Sequence, residues 1–172
     1  SIIYFSTLSK NCHIVGFEPD KEMFKILEKN ISAVAVENVE IYNAAVWTED
    51  TQLTFYPDGS DGGSVFTNGD KRGVLVNAID LKKILNKYES IDMLKIDIEG
   101  PESMILHDCE NYLKKIKTIF IEYHSFVNKP QELGKILSLL EKNGYRYYIH
   151  NNIFSPEPIK KIGCSSGNGM DL

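Results

Sequence analysis

Apolar and polar positions change their period along the chain, and each change marks an element. The segment Ile91 to Glu99 is an apolar strand that ends in acid. Period two puts Met93, Lys95, Asp97 and Glu99 on one face and Leu94, Ile96 and Ile98 on the other. Gly100-Pro101 stops this strand, and Pro101 suits the first turn of a helix over about 101–108, with more helical turn near 110–114. Thr118 to His124 is a second core strand with a polar end, and Phe120, Glu122 and His124 share a face. A helix follows over about 130–143, its apolar side formed by Leu133, Ile136, Leu137 and Leu140, and Gly144 is its stop. Tyr145 to His150 is expected to be a final strand.

The first half follows a similar rhythm. Residues 1–9 are apolar and fit a buried helix as well as a strand. His13 to Phe17 is a short buried strand closed by Glu18-Pro19-Asp20. Asp20 suits the N-cap of a helix over about 21–31, with Phe24, Ile26, Leu27 and Ile31 on its apolar side. Val39 to Asn43 is the next strand and runs into Ala44, Ala45 and Val46. From 48 to 79 the pattern shortens. Leu53 to Tyr56 alternates, glycine turns follow at Pro57-Asp58-Gly59 and Asp61-Gly62-Gly63, and Val65-Phe66-Thr67 and Val74-Leu75-Val76 are short strands. This is an antiparallel insertion between two α/β units, and Asp80 then caps a helix through about Tyr88. Strands alternating with helices over short links imply an α/β fold, a mostly parallel sheet with helices on both faces.

Composition narrows the class. The 172 residues suffice for one domain with a real core, and 42% hydrophobic with 25% charged residues is ordinary for a globular chain. A net charge of −5 argues against a nucleic-acid partner. No apolar run reaches membrane-spanning length. Cys12, Cys109 and Cys164 are odd in number and far apart, which favours a reduced, cytoplasmic setting over a disulfide framework. The chain opens without Met, as if in mid-element, so the natural protein is expected to start upstream.

Candidate chemistry gathers at strand ends, where open α/β sheets bind ligands. Glu18, at the tip of a strand, can accept hydrogen bonds from both hydroxyls of a ribose, which suits NAD, FAD and S-adenosylmethionine alike. Asn43 ends the next strand before two small alanines; it is either an adenine-side group or a turn asparagine. Asp97, Glu99, Glu122 and His124 converge if their two strands are neighbours. They could take a proton from a hydroxyl, or Asp97, Glu122 and His124 could hold a divalent metal. Alternatively, Lys95 pairs with Glu122 or Asp97 as a structural ion pair, and His124 is a satisfied core histidine. Glu99 and Glu102 either merely favour the N-terminus of the following helix or belong to a site at the strand end.

Four segments in order carry a resemblance: Val-Gly-Phe-Glu-Pro-Asp20, Asn-Val-Glu-Ile-Tyr-Asn-Ala-Ala-Val46, Asp-Met-Leu-Lys-Ile-Asp-Ile-Glu-Gly100 with Glu102, and Ile-Glu-Tyr-His124. Together they resemble the FkbM-type methyltransferases of the class I, S-adenosyl-L-methionine-dependent fold, over about residues 12–150. The resemblance implies a single Rossmann-like domain over residues 1–172, with strand order 3-2-1-4-5-7-6 and the last strand antiparallel. It implies methyl transfer to an oxygen of a sugar or small hydroxylated metabolite. By position, Glu18, with Pro19 and Asp20, would hold the ribose, and Asn43, Ala44 and Ala45 would lie by the adenine. Asp97 would sit near the methionine end of the cofactor and the acceptor. A methyl transfer there would use Asp97 for positioning or metal and Glu99 or His124 for handling the proton. The family's first strand and glycine-rich loop, and its final antiparallel strand, have no counterpart in these residues. Two rival functions are a nicotinamide-dependent oxidoreductase and a non-catalytic interaction domain that self-associates as a homo-oligomer.

Overall fold

The structure is a computed structural model and describes residues 2–8, 12–34, 38–56, 73–126 and 129–150. The chain divides into two compact units, Ser1–Leu81 and Lys82–Leu172, each with α and β elements.

In the first unit, α1 (Ile2–Leu8) is helical, which decides between the two conformations open to that apolar run. It rests on β1 (Ile14–Phe17), so closely that a Cβ on Gly16 would lie 2.5 Å from Ile2 Cδ1. α2 (Lys21–Ala33) begins where Asp20 caps it: Asp20 Oδ1 accepts from the Glu22 N–H at 2.8 Å and the Met23 N–H at 3.1 Å. Phe24, Leu27 and Ile31 of its apolar side are half-buried, whereas Ile26 is exposed. β2 (Val39–Tyr42) pairs in parallel with β1, Ile14 opposite Val39 and Phe17 opposite Tyr42, and those two end rings stack at 5.2 Å.

The strand expected to run on from Val39 through Val46 is broken. β2 ends at Tyr42, and β3 (Ala45–Trp47) belongs to another sheet of order β3-β5-β4. There β3 pairs in parallel with β5 (Val74–Asp80), and β4 (Thr51–Phe55) pairs antiparallel with it. Ala44, Ala45, Phe55 and Ala78 are buried. The glycine turns and the strand expected over 57–67 lie outside the described residues. Asp80 is the last residue of β5, its N–H donating to Asp50 Oδ1 at 2.9 Å. The helix expected through Tyr88 is only α3 (Leu81–Leu85), which leads into the second unit.

In the second unit, β6 (Ile91–Ile96) and β7 (Ile116–Ile121) pair in parallel, Ile91 opposite Ile116 and Ile96 opposite Ile121. Between them lie α4 (Glu102–Asp108) and a 3₁₀ segment, Glu110–Lys115; α5 (Leu133–Lys142) follows. Ile96, Ile105, Leu106, Cys109, Leu113, Ile116, Ile136, Leu139 and Leu140 form the buried core. Leu139 joins Ile136 and Leu140 on the buried side of α5, while Leu133 and Leu137 are half-buried. Gly144 follows α5 at φ +83°, a conformation that suits glycine at a helix end.

Both strands are shorter than their apolar patterns suggest. β6 stops at Ile96 and the backbone turns at Glu99 (φ +58°) and Gly100 (φ +126°). β7 stops at Ile121, one residue before the Glu122 N–H donates to the Ile96 carbonyl at 2.9 Å. The strand expected over 145–150 is not formed and pairs with no strand among the described residues. Instead the Tyr145 hydroxyl sits 2.7 Å from the Leu113 carbonyl and 2.6 Å from that of Ile116, while Tyr147, Tyr148 and Ile149 stay exposed. The tail with Cys164 lies outside the described residues; Cys12 is half-buried and Cys109 is buried. No helix among the described residues is long and apolar enough to cross a membrane.

Candidate functional site

In the first unit, chemistry concentrates at the C-terminal ends of β1 and β2. Glu18 directly follows β1, and its N–H donates to the Tyr42 carbonyl at 3.1 Å, continuing the parallel ladder. Its Oε1 accepts the Asp20 N–H at 2.8 Å, so the Glu18-Pro19-Asp20 turn is shaped by its own carboxylate before Asp20 caps α2. Asn43, just beyond β2, donates through Nδ2 to the carbonyls of Glu18 at 2.9 Å and Pro19 at 3.2 Å. Its amide donors therefore fasten the acid-bearing turn, which supports the turn-asparagine alternative more than adenine recognition through the NH₂ group. Ala44 and Ala45 are buried, 3% and 8% exposed, and act as small core residues where the chain leaves one sheet for the other. Pro19 and Asp20 are half-buried in the same turn.

In the second unit, parallel pairing of β6 and β7 brings Asp97, Glu99, Glu122 and His124 together just past the strand ends. The Lys95 ammonium lies 2.5 Å from Asp97 Oδ2, with both side chains about one-third exposed (29% and 33%), and 5.7 Å from the centre of the Phe120 ring. Of the two partners considered for Lys95, it takes Asp97. His124 is at the centre. Its side chain is 8% exposed; Nε2 lies 3.3 Å from Glu99 Oε1 and 3.9 Å from Asp97 Oδ1, and Nδ1 lies 2.9 Å from Glu102 Oε1. Glu102, at the start of α4, is fully buried, and its Oε1 also accepts the Gly100 N–H at 2.9 Å.

Electrostatics follow from that packing. Burial pushes the His124 imidazole down, but its hydrogen bonds to Glu102 and Glu99 and their charges outweigh burial, and its pKa is pushed up to about 10. Near neutral pH it is an imidazolium that donates to the two carboxylates. That leaves the carboxylates Asp97, Glu99 and Glu122 as the acceptor groups of the cluster. One ligand atom each from Asp97, Glu122 and His124 falls within 4.8 Å of the others, a spacing a divalent cation could bridge. The Lys95 ammonium and the imidazolium already supply positive charge there.

Glu102 has a larger part in this cluster than its pattern suggests. An acid in the first turn of a helix is ordinarily an exposed partner of the helix dipole, and nothing in its spacing marks it as buried. The available signal was its place two residues beyond Gly100, in a turn that returns the chain beneath the strand end.

Comparison with curated proteins and with solved structures gives no match. The family model described as the methyltransferase FkbM domain matches residues 2–147 of the 172. The match spans every described element of both units. The chain belongs to the FkbM methyltransferase family.

Proposed function

We propose that the protein transfers a methyl group from S-adenosyl-L-methionine to a hydroxyl oxygen of a sugar or a small hydroxylated metabolite, on a Rossmann-like fold. The carrying observation is the set of carboxylates, Asp97, Glu99 and Glu122, assembled around His124 past the ends of two parallel strands in a chain of this family. The pairing of β1 with β2 and of β6 with β7 agrees with two adjacent pairs in a class I order, 2 beside 3 and 4 beside 5.

The residues fit the cofactor's ribose. A half-buried carboxylate directly after a parallel strand, in a turn held by Asn43, is a fixed acceptor for a vicinal diol. When bound, S-adenosylmethionine supplies a methyl group already activated on a sulfonium. What remains for the protein is alignment, which can contribute roughly 7–11 kcal/mol, and removal of a proton, worth on the order of 10²–10⁴-fold. Asp97 orients the acceptor hydroxyl, and Glu99 takes its proton while His124 steadies the two carboxylates. Should a divalent cation join the site, Asp97, Glu122 and His124 are the residues that would hold it, and His124 would have to give up its Nε2 proton to do so.

The test is calorimetry with S-adenosylhomocysteine and, separately, NAD. It is followed by tritiated-methyl transfer to a panel of free hexoses, deoxyhexoses and methyl glycosides. S-adenosylhomocysteine should bind and NAD should not, and Glu18→Ala should weaken binding about tenfold, on the order of 1.4 kcal/mol. Binding of NAD alone would give the oxidoreductase alternative. Binding of neither would leave a non-catalytic domain, and sedimentation would then show whether it self-associates.

A further inference from the structure

We infer that Glu102 is a positioning residue: its buried carboxylate ties the turn after β6 to His124 and thereby sets the places of Glu99 and Asp97. The inference deepens the methyltransferase assignment of the same cluster and rests on it for the activity measurement alone.

Glu102 is 0% exposed, and a buried carboxylate is costly unless it is paired and hydrogen-bonded. Its Oε1 carries both contacts, the Gly100 N–H at 2.9 Å and His124 Nδ1 at 2.9 Å. Its Oε2 is buried and has no hydrogen-bond partner among the described residues. Replacing the whole Glu102–His124 pair by apolar side chains of the same volume would carry no such cost, so stability alone does not account for an acid here.

What Oε1 holds does account for it. One contact fixes the Gly100 amide in a turn where Glu99 adopts φ +58°, left-handed backbone that a non-glycine residue enters at a cost of about 1–3 kcal/mol. That turn aims the Glu99 side chain, 13% exposed, at His124. The other contact holds Nδ1 of the imidazole, so Nε2 faces Glu99 at 3.3 Å and Asp97 at 3.9 Å. A single carboxylate thus joins the segment after β6, the start of α4 and the segment after β7. Glu102 reaches the acceptor site only through Glu99, Asp97 and His124, and so acts on geometry.

Glu102→Met and Glu102→Gln test this, with His124→Gln as the second arm. Circular dichroism melting should show Glu102→Met folded but less stable than the wild type, because it leaves the Gly100 N–H and the His124 imidazolium each short of a partner, and S-adenosylhomocysteine should bind the folded variant with unchanged affinity. Methyl transfer to the best sugar of the panel should lose kcat on the order of 10²-fold, the scale of a 1 Å misplacement, with KM for the cofactor unchanged. Glu102→Met should cost less in the His124→Gln background than in the wild type, because one of its two contacts is already gone there. Glu102→Gln keeps the shape and one acceptor oxygen, and it should move the downfield Nδ1–H proton resonance of His124 upfield.

A folded Glu102→Met variant with wild-type kcat overturns the inference. So does an unchanged His124 Nδ1–H resonance in Glu102→Gln, or full additivity with His124→Gln. If the wild-type protein transfers no methyl group, the functional assignment fails, and the resonance still decides whether Glu102 positions His124. If Glu102→Met does not fold, Glu102→Gln carries the same kinetic and spectroscopic measurements.

Discussion

Asp97 is the residue whose loss should separate chemistry from folding most cleanly. Its partner Lys95 is about one-third exposed (29%), and ion pairs at that exposure contribute roughly 0–1 kcal/mol to stability. Asp97→Ala should therefore leave the urea midpoint nearly unchanged while reducing methyl transfer to background, measured as S-adenosylhomocysteine release. Full activity in that variant would remove Asp97 from the site. Asn43→Ala makes a complementary prediction. The amide fastens two carbonyls of the Glu18 turn, so its loss should weaken S-adenosylhomocysteine binding about three- to tenfold, on the scale of one lost hydrogen bond of about 1 kcal/mol. At this scale much of the acid cluster was legible, because period two along residues 91–99 and 118–124 places Asp97, Glu122 and His124 near one sheet edge. The commitment of Asn43 to backbone carbonyls was not, since its partners are 24 and 25 residues away in sequence. Nor was the burial of Glu102, which depends on how the turn at Gly100 folds back rather than on any local pattern.

At the scale of elements, α2 shows what local chemistry decides. None of its residues is fully buried, so its start depends heavily on Asp20, which accepts two of the first N–H groups. Asp20→Ala should cost about 1 kcal/mol, within the 0.5–2 kcal/mol range of lost N-caps, and chemical denaturation would read it as a lower midpoint at constant slope. A larger loss would mean that the cap also holds the Glu18 turn, whose carboxylate takes the Asp20 N–H. Helices with clear periodicity and caps, such as α2 and α5, lay close to their expected bounds because their signals are local. Strand limits were less legible. The run from Val39 to Val46 carries no internal breaker, yet it divides between two sheets at Asn43-Ala44, because strand partners far along the chain determine pairing. The final segment, 145–150, has strand-like residues but no neighbour to pair with among the described residues, and it is attached through Tyr145, by its hydroxyl and by its N–H, which donates to the Leu140 carbonyl at 3.0 Å.

For the whole molecule, the pH dependence of stability follows from which protons the native state keeps. With 24 acidic and 19 basic side chains and a sequence pI near 5.4, the chain is increasingly anionic above neutrality. Against that background His124 is the outlying group. Its native pKa, pushed up to about 10 although burial opposes it, stands above the ordinary value of 6.5 because Glu102 and Glu99 hold its proton. The native state therefore binds a proton that the unfolded chain releases between those values. The stabilisation is fully present below about pH 6.5 and is lost as pH rises toward 10. The slope approaches at most about 1.4 kcal/mol per pH unit from one group. Tyr145 acts in the same direction above pH 10, its hydroxyl held up by burial. Glu110 and Glu132, lowered first by their hydrogen bonds to Lys142 and Lys135, act at the other end and give up their contribution as pH falls below 4.5. Urea unfolding of the wild type and of His124→Gln, in buffer with a chelator present, isolates the histidine. The wild-type curve should fall from pH 7 to 9.5, and the His124→Gln curve should be flatter over that interval. Parallel curves would mean that Glu99 and Glu102 do not hold the imidazolium, and that another group sets the arrangement of carboxylates beside it.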